Sequence, residues 1–311
     1  MVSLLEFETT LRPLESELEE ARRVGGNGHV DSAQERLTDQ LRRIYSDLTP
    51  WQKVQVARHR ERPYTLDYLQ WGFTDFVELH GDRSFAEDRA IIGGPALLNG
   101  RSVMVIGHQK GRDTRENISR NFGMPHPEGY RKAERLMRQA EHFGMPVVTM
   151  VDTPGANAGL SDEERGQAEA IASSIATMLA LRVPTVAVVI GEGGSGGALA
   201  IAVADRILML EHAVFTVASP EAAASILWRD AGKASEAANN MRITAQDLKY
   251  FGLVDDIIPE PVGGAHRDHA AAASSVASAI NSCLQGLSEL PIDELLAARY
   301  AKYRNIAFFS E

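Results

Sequence analysis

The sequence predicts an α/β fold built on a mostly parallel sheet, and three observations carry that prediction. Short apolar runs at 146–152 ("PVVTMVD"), 183–190 ("VPTVAVVI") and 206–210 ("RILML") have the length and β-branched content of buried strands. Stretches with helical spacing separate the first two, the alternation that a parallel sheet with crossover helices requires. Upstream, two further apolar runs meet at Asn99-Gly100, the dipeptide that most strongly marks a β-hairpin.

Taken in order, residues 1–60 form a helical arm. "LLEFETTLRPLESELEEARRV" is charged and interrupted by Pro13, "GGNGHVD" (25–31) reads as a linker, and Leu37, Leu41, Ile44 and Leu48 resume the helical period. Thr49-Pro50 has the signature of an N-cap followed by proline in the first turn. After the hairpin, Tyr130, Ala133, Met137, Ala140 and Phe143 mark one face of a helix that ends at Gly144. Ser161 and Glu164 have capping-box spacing, and Ala168, Ile171, Ile175 and Met178 fall on one side of the helix they open. Ser219-Pro220-Glu221 starts another helix, an Ala-rich helix covers about 233–241, and "LVDDIIPEP" is a short strand. Two long helices close the chain.

Composition excludes several function classes. A net charge of −10 argues against general nucleic-acid binding. The single cysteine, Cys283, rules out a disulfide framework or a thiolate zinc site within the chain. No apolar run approaches the ~18 residues of a membrane span, and the acidic N-terminus lacks the basic region of a secretory signal. A cytoplasmic protein with no metal of its own is expected.

The chemistry concentrates in "VVIGEGGSGGALAIAVAD", which admits three readings. Gly191-x-Gly193-x-x-Gly196 fits a dinucleotide fingerprint, but only about nine residues separate the last glycine from the next strand, too few for the helix of that unit. Gly193-Gly194-Ser195-Gly196-Gly197 fits a serine elbow, with Asp255 or Asp256 and His266 or His269 following in hydrolase order. The third reading pairs this loop with "DTPGANAG" (152–159), which also leaves a buried strand through a glycine turn. If the two strands are parallel neighbours, both loops emerge at one carboxyl edge. Main-chain N–H groups there, aided by the dipole of a helix expected over 197–204, would form an oxyanion hole. Nearby Lys110, Arg112, Arg115, Arg120, Arg131 and Lys132 make a locally basic segment suited to an anionic ligand.

Beyond single motifs, "GHQKGRDTRENISRNFGMPHPEGYRKAERLM", "DTPGA", "EERGQAEAIA", "VIGEGGSGGALAIAVADRILMLEHA" and "SPEAAASILWRDAGKASEAA" resemble, in the same order over roughly residues 35–290, the carboxyltransferase alpha subunit of bacterial and plastid acetyl-CoA carboxylase. The resemblance implies a crotonase-like spiral of ββα units over residues 61–311, ending in C-terminal helices, with the arm at 1–60 as an N-terminal helical extension. It implies carboxyl transfer from carboxybiotin, carried on a separate biotin carboxyl carrier protein, to acetyl-CoA, giving malonyl-CoA for fatty-acid synthesis. Released biotin takes the α-proton in that scheme, so no side-chain base is needed. A carboxyltransferase beta subunit is the implied partner in an α2β2 assembly, with biotin carboxylase in the wider complex. By the same resemblance Gly196, Gly197, Gly155 and Ala156 are backbone oxyanion donors. Thr153, Pro154, Asn157, Gly193, Gly194, Ser195, Lys110 and Arg112 are expected on the biotin side. The chain departs from the family pattern at Asn157-Ala158-Gly159, where an aromatic-Pro-Gly run is expected, and at Ala222-Ala223, where Gly-Cys is common.

Overall fold

The computed structural model describes residues 3–25 and 27–306. A short 3₁₀ turn leads into α1 (Arg12–Val24), α2 (Asn27–Tyr45), α3 (Pro50–Ala57) and α4 (Thr65–Gly72). Pro13 sits in the first turn of α1, where its missing N–H costs nothing, rather than interrupting a helix. Helix α2 begins at Asn27, so most of the expected linker is helical; Gly26 lies outside the described residues. Thr49 caps α3 as expected, its Oγ1 accepting the Gln52 N–H at 3.2 Å. The arm builds its own small core from Leu11, Leu18, Leu37, Leu41, Tyr45 and Val56. It is tied to the rest of the chain by Arg267, which donates to Glu8 at 3.0 Å and Glu15 at 2.9 Å.

The sheet runs β1-β2-β3-β4-β5-β7. Strands β1 (Ile91–Leu98) and β2 (Arg101–His108) form the antiparallel hairpin, closed by Asn99 and Gly100, both at positive φ (49° and 79°). Beyond α5 (Thr114–Ser119) comes α6 (Pro127–His142), which buries Tyr130, Ala133, Leu136, Met137 and Ala140 against β1 and β2. Phe143 does not join that face; it lies past the last turn and is exposed. Strand β3 (Val147–Thr153) is fully buried and parallel to β2 and to β4 (Thr185–Gly194).

The crossover between β3 and β4 is two helices rather than one, α7 (Leu160–Glu164) and α8 (Gln167–Ala180). Gly166 breaks them apart at φ 81°, and Gly159 rather than Ser161 is the N-cap of α7. The break turns the buried side of α8 to Gln167, Ala170, Ser174, Thr177 and Met178, leaving Ala168 exposed.

Besides β3, strand β4 serves two neighbours along its other edge. Residues 186–189 pair with β5 (Arg206–Leu210), and residues 192–194 pair with the short β6 (Val214–Thr216), which the sequence did not announce. Helix α9 (Ser195–Leu199) leads from β4 toward β5. The chain continues through α10 (Pro220–Trp228, capped by Ser219), α11 (Ala234–Met241), α12 (Ala245–Tyr250), β7 (Asp256–Ile258), α13 (His269–Ser288) and α14 (Ile292–Arg304). Arg299 locks α14 to the sheet by a bidentate pair with Asp205 at 2.7 and 2.8 Å. Among the described residues no helix is long and apolar enough to cross a membrane.

Two buried histidines set an acid limit on the fold. Burial pushes His108 down to about 4 against the pull of Asp152, and burial with the nearby His59, Arg62 and Arg267 pushes His266 down to about 2. Both are neutral in the native chain, whereas the unfolded chain takes up protons near pH 6.5. Stability is therefore full above that value and falls as the pH drops, His108 alone contributing on the order of 3 kcal/mol by pH 4. The urea midpoint should be clearly lower at pH 5 than at pH 7.5, and His108→Asn should flatten that slope. Equal midpoints would show that these rings are not held neutral.

Candidate active site

The parallel pairing of β3 and β4 brings the two glycine loops together at one sheet edge, and a register shift determines how. Val151 pairs with Val189, but the next partner of β3, Thr153, pairs with Gly193. Asp152 thus stands opposite a bulge of three residues, 190–192. Its buried carboxylate accepts the Glu192 N–H at 3.0 Å and Lys110 Nζ at 2.6 Å. A Cβ at Gly191 would lie 2.4 Å from that carboxylate, so Gly191 is glycine to admit Asp152, not to approach a nucleotide phosphate.

The remaining glycines are fitted to close neighbours in the same way. A Cβ at Gly193 would meet the Phe215 ring at 2.7 Å, and one at Gly194 would meet the Pro154 carbonyl oxygen at 2.1 Å. At Gly197 it would lie 2.4 Å from the Ala156 nitrogen, 2.7 Å from the Gly155 carbonyl carbon and 2.8 Å from the Tyr130 hydroxyl. Gly196 differs: only Ile171 Cγ2 comes near, at 3.7 Å, and the residue is half-buried beside open space. The Gly155–Ala156 backbone and Gly197 are therefore in direct apposition.

The donors can be assigned one by one. The Gly155 N–H is already taken by Thr153 Oγ1 at 3.0 Å, and that hydroxyl returns a bond to the Gly155 carbonyl at 2.8 Å. Gly155, at φ 149°, shapes the turn rather than offering a free amide. The N–H of Asn157 is spent on the Pro125 carbonyl at 3.0 Å. The N–H groups of Ala156, Gly196 and Gly197 have no acceptor among the described residues. Helix α9 has five residues instead of the eight expected over 197–204, so a macrodipole adds little and each N–H acts singly.

The basic segment does not face a ligand as expected. Lys110 lies beneath the loops in its pair with Asp152. Burial opposes its charge, but the Asp152 and Glu192 carboxylates hold its pKa above the ordinary lysine value. Arg112 stacks over the Tyr64 ring at 4.0 Å, pairs with Asp67 and donates to the carbonyls of Arg60 and Arg62 at 3.0 and 2.9 Å. Arg120 holds Glu116 and the Arg89 carbonyl, Arg131 the Arg165 carbonyl, and Lys132 Glu87 and the Asp88 carbonyl. Of the six cations only Arg115 is exposed without a partner among the described residues.

The serine-elbow reading is overturned. Ser195 does sit at φ 54° at the strand end, as an elbow would, but both candidate histidines are engaged elsewhere. His266 is buried and stacked on His59 with centroids 4.0 Å apart, and His269 bonds the Glu61 carbonyl at 2.7 Å. Asp255 accepts from Ile207 and Lys302, and Asp256 from Lys249. No triad forms.

An apolar cleft of about 510 Å³ opens beside Ser195 and Gly196, walled by Leu199, Phe215, Val217 and Phe251. A larger groove of about 690 Å³ lies on the arm among Glu15, Glu19, Arg22 and Arg267, away from both loops. Sequence reasoning did not single out Asp152, Asp162 or Gln167, whose side chains hold the loops. Asp152 had the one available signal, a lone acid at the end of an otherwise apolar strand.

Residues 4–307 match the acetyl co-enzyme A carboxylase carboxyltransferase-like family. The chain is 54% identical to the acetyl-coenzyme A carboxylase carboxyl transferase subunit alpha of Azoarcus sp. (strain BH72), over 99% of this chain and 98% of that protein. Among solved structures it is similar to transcarboxylase 12S with hydrolysed methylmalonyl-coenzyme A bound: TM-score 0.61, 20% identity, 77% of this chain and 45% of that one. It is also similar to a Pseudomonas malonate decarboxylase hetero-tetramer in complex with coenzyme A: TM-score 0.57, 19% identity, 70% of this chain and 89% of that one. At such identities these structures speak to fold alone, and the fold is the crotonase-like α/β fold expected. By the match along nearly its whole length, the chain belongs to the acetyl co-enzyme A carboxylase carboxyltransferase-like family.

Proposed function

We infer that this chain is the alpha half of a biotin-dependent carboxyltransferase, moving a carboxyl group from carboxybiotin to acetyl-CoA to form malonyl-CoA for fatty-acid synthesis. Carboxybiotin, arriving on a separate carrier protein, supplies the carboxyl group. The chain supplies main-chain donors for the oxygen on which negative charge develops. The apposition of Gly197 with Ala156 is the observation that carries this reading: two loops from different strands meet backbone to backbone. Donors fixed in the first turn of a short helix and in a braced loop need no reorganisation as charge appears, and each is worth about 10²–10³ in rate. Gly193, Gly194, Thr153 and Pro154 hold this geometry, while Ser195 and Asn157 stand at its rim.

The cleft beside Gly196 and the exposed Val217, Ile226, Leu227 and Tyr250 support a beta subunit as the covering partner in an α2β2 assembly. Its cover would also exclude water from the donors. Biotin carboxylase would recharge the carrier in the wider cytoplasmic complex. The test is to co-purify the chain with a carboxyltransferase beta subunit and follow malonyl-CoA formation from carboxybiotin and acetyl-CoA. In that assay Ser195→Ala should lower turnover only a few-fold, whereas loss of a serine nucleophile costs about 10⁶-fold. A collapse of that size would remove the main-chain mechanism.

A further inference from the structure

We propose that Asp162 is the positioning residue of the loop that carries the Ala156 donor, acting through Asn157. The proposal rests on the carboxyltransferase reading above. The loop 154–159 has no regular structure of its own, yet its position is set from three sides. On one side the Asn157 N–H donates to the Pro125 carbonyl at 3.0 Å. On a second, buried Gln167 at the start of α8 donates from Nε2 to the carbonyls of both Pro125 and Asn157, each at 2.8 Å.

The third side is Asp162, whose carboxylate is almost wholly buried. Oδ2 accepts from Asn157 Nδ2, while Oδ1 accepts from Arg165 Nη2 at 2.9 Å and bonds His126 Nδ1 at 2.6 Å. Burial works against its charge, but the His126 and Asn157 bonds and the Arg165 guanidinium hold its pKa below the ordinary carboxylate range. Gly159 makes the approach possible, since a Cβ there would lie 2.7 Å from Oδ2. Asp162, itself in α7, thus joins the loop to the start of α6 through His126 and through Arg165, which also donates to Glu128 at 2.8 Å. The clamp acts through Asn157, so a side-chain hydrogen bond fixes the middle of this loop. Ala156 is the residue before Asn157, so the clamp on Asn157 keeps the Ala156 nitrogen beside Gly197.

Loss of the clamp should lower turnover rather than substrate affinity, because donor geometry matters most when charge develops. In the assembled complex, Asp162→Ala should lower kcat by about 10–100-fold with KM for acetyl-CoA within about two-fold. Asn157→Ala should do the same to a smaller extent, and the double variant should be no slower than Asp162→Ala alone, since both cut one link. Amide hydrogen exchange on the isolated chain should show faster exchange at position 157, whose N–H is bonded to the Pro125 carbonyl, in both variants, with β3 and β4 unchanged. Unchanged loop exchange, additive losses of kcat, or a fall confined to KM would each overturn the clamp. A wild-type complex that forms no malonyl-CoA would instead sink the proposed function, and the exchange measurement would still decide the clamp.

Discussion

Gly197→Val is expected to abolish malonyl-CoA formation while leaving the chain folded and able to bind its partner. Any Cβ at this position lies 2.4 Å from the Ala156 nitrogen and 2.7 Å from the Gly155 carbonyl carbon. Both are main-chain atoms that cannot rotate aside, so the loop 154–159 must retreat. That retreat separates the Ala156 donor from those of Gly196 and Gly197, and loss of a single such donor costs about 10²–10³ in turnover. With two loops displaced, a fall of at least about 10³-fold is expected. Gly196→Ala is the matched control for folding: its Cβ meets only Ile171 Cγ2, at 3.7 Å, and its φ is not restricted to the left-handed region. Initial rates, with gel filtration to show that the complex is intact, decide the matter. A Gly197→Val complex that keeps a tenth of the wild-type rate would end the account of apposed donors.

What the sequence made legible follows from the range over which each feature is determined. The Asn99-Gly100 hairpin and the caps at Thr49 and Ser219 depend on a few adjacent residues, and all are present. The glycine loops were legible because glycine has few reasons to cluster after a strand, and the parallel pairing of β3 and β4 follows from their single crossover. The helix over 161–181 was misjudged because it breaks at Gly166, φ 81°, and a lone glycine inside a helical period does not by itself mark a break; the turn that follows aims Gln167 at the Pro125 and Asn157 carbonyls. The basic segment misled for a related reason. Arg112 finds Asp67 and Lys132 finds Glu87, partners some 45 residues away in sequence, so local charge density said nothing about what the cations face. Among the expected donors, Gly155 was separable from Ala156 only once the Thr153 hydroxyl was seen to occupy its amide.

Asp152→Ala should cost both stability and activity, because one carboxylate fixes the bulge and neutralises a lysine. Its removal leaves the Lys110 ammonium, 15% exposed, without its partner at 2.6 Å. Deleting one member of a buried ion pair costs about 3–5 kcal/mol, and the partial exposure of Lys110 puts this case at the lower end. The Glu192 N–H also loses its acceptor, which adds about 1–3 kcal/mol if no water replaces it. Residues 190–192 would then lose their acceptor on the β3 side, keeping Arg62 on the Ile190 carbonyl and the pairing of Glu192 with Val214 on the other, and the Gly193–Gly197 segment that follows would lose its register with Thr153. Urea unfolding should show a loss of about 3 kcal/mol or more, with malonyl-CoA formation falling further than stability alone explains. Adding Lys110→Met should restore part of the stability by removing the stranded charge, but not the activity, because the bulge still lacks its acceptor. Gly191→Ala approaches the same contact from the other side, pressing a Cβ to 2.4 Å from Oδ1, and should reproduce the loss of activity with Lys110 still paired. If Asp152→Ala were within about 1 kcal/mol of wild type and fully active, the register of the two loops would have to be set by something other than this carboxylate.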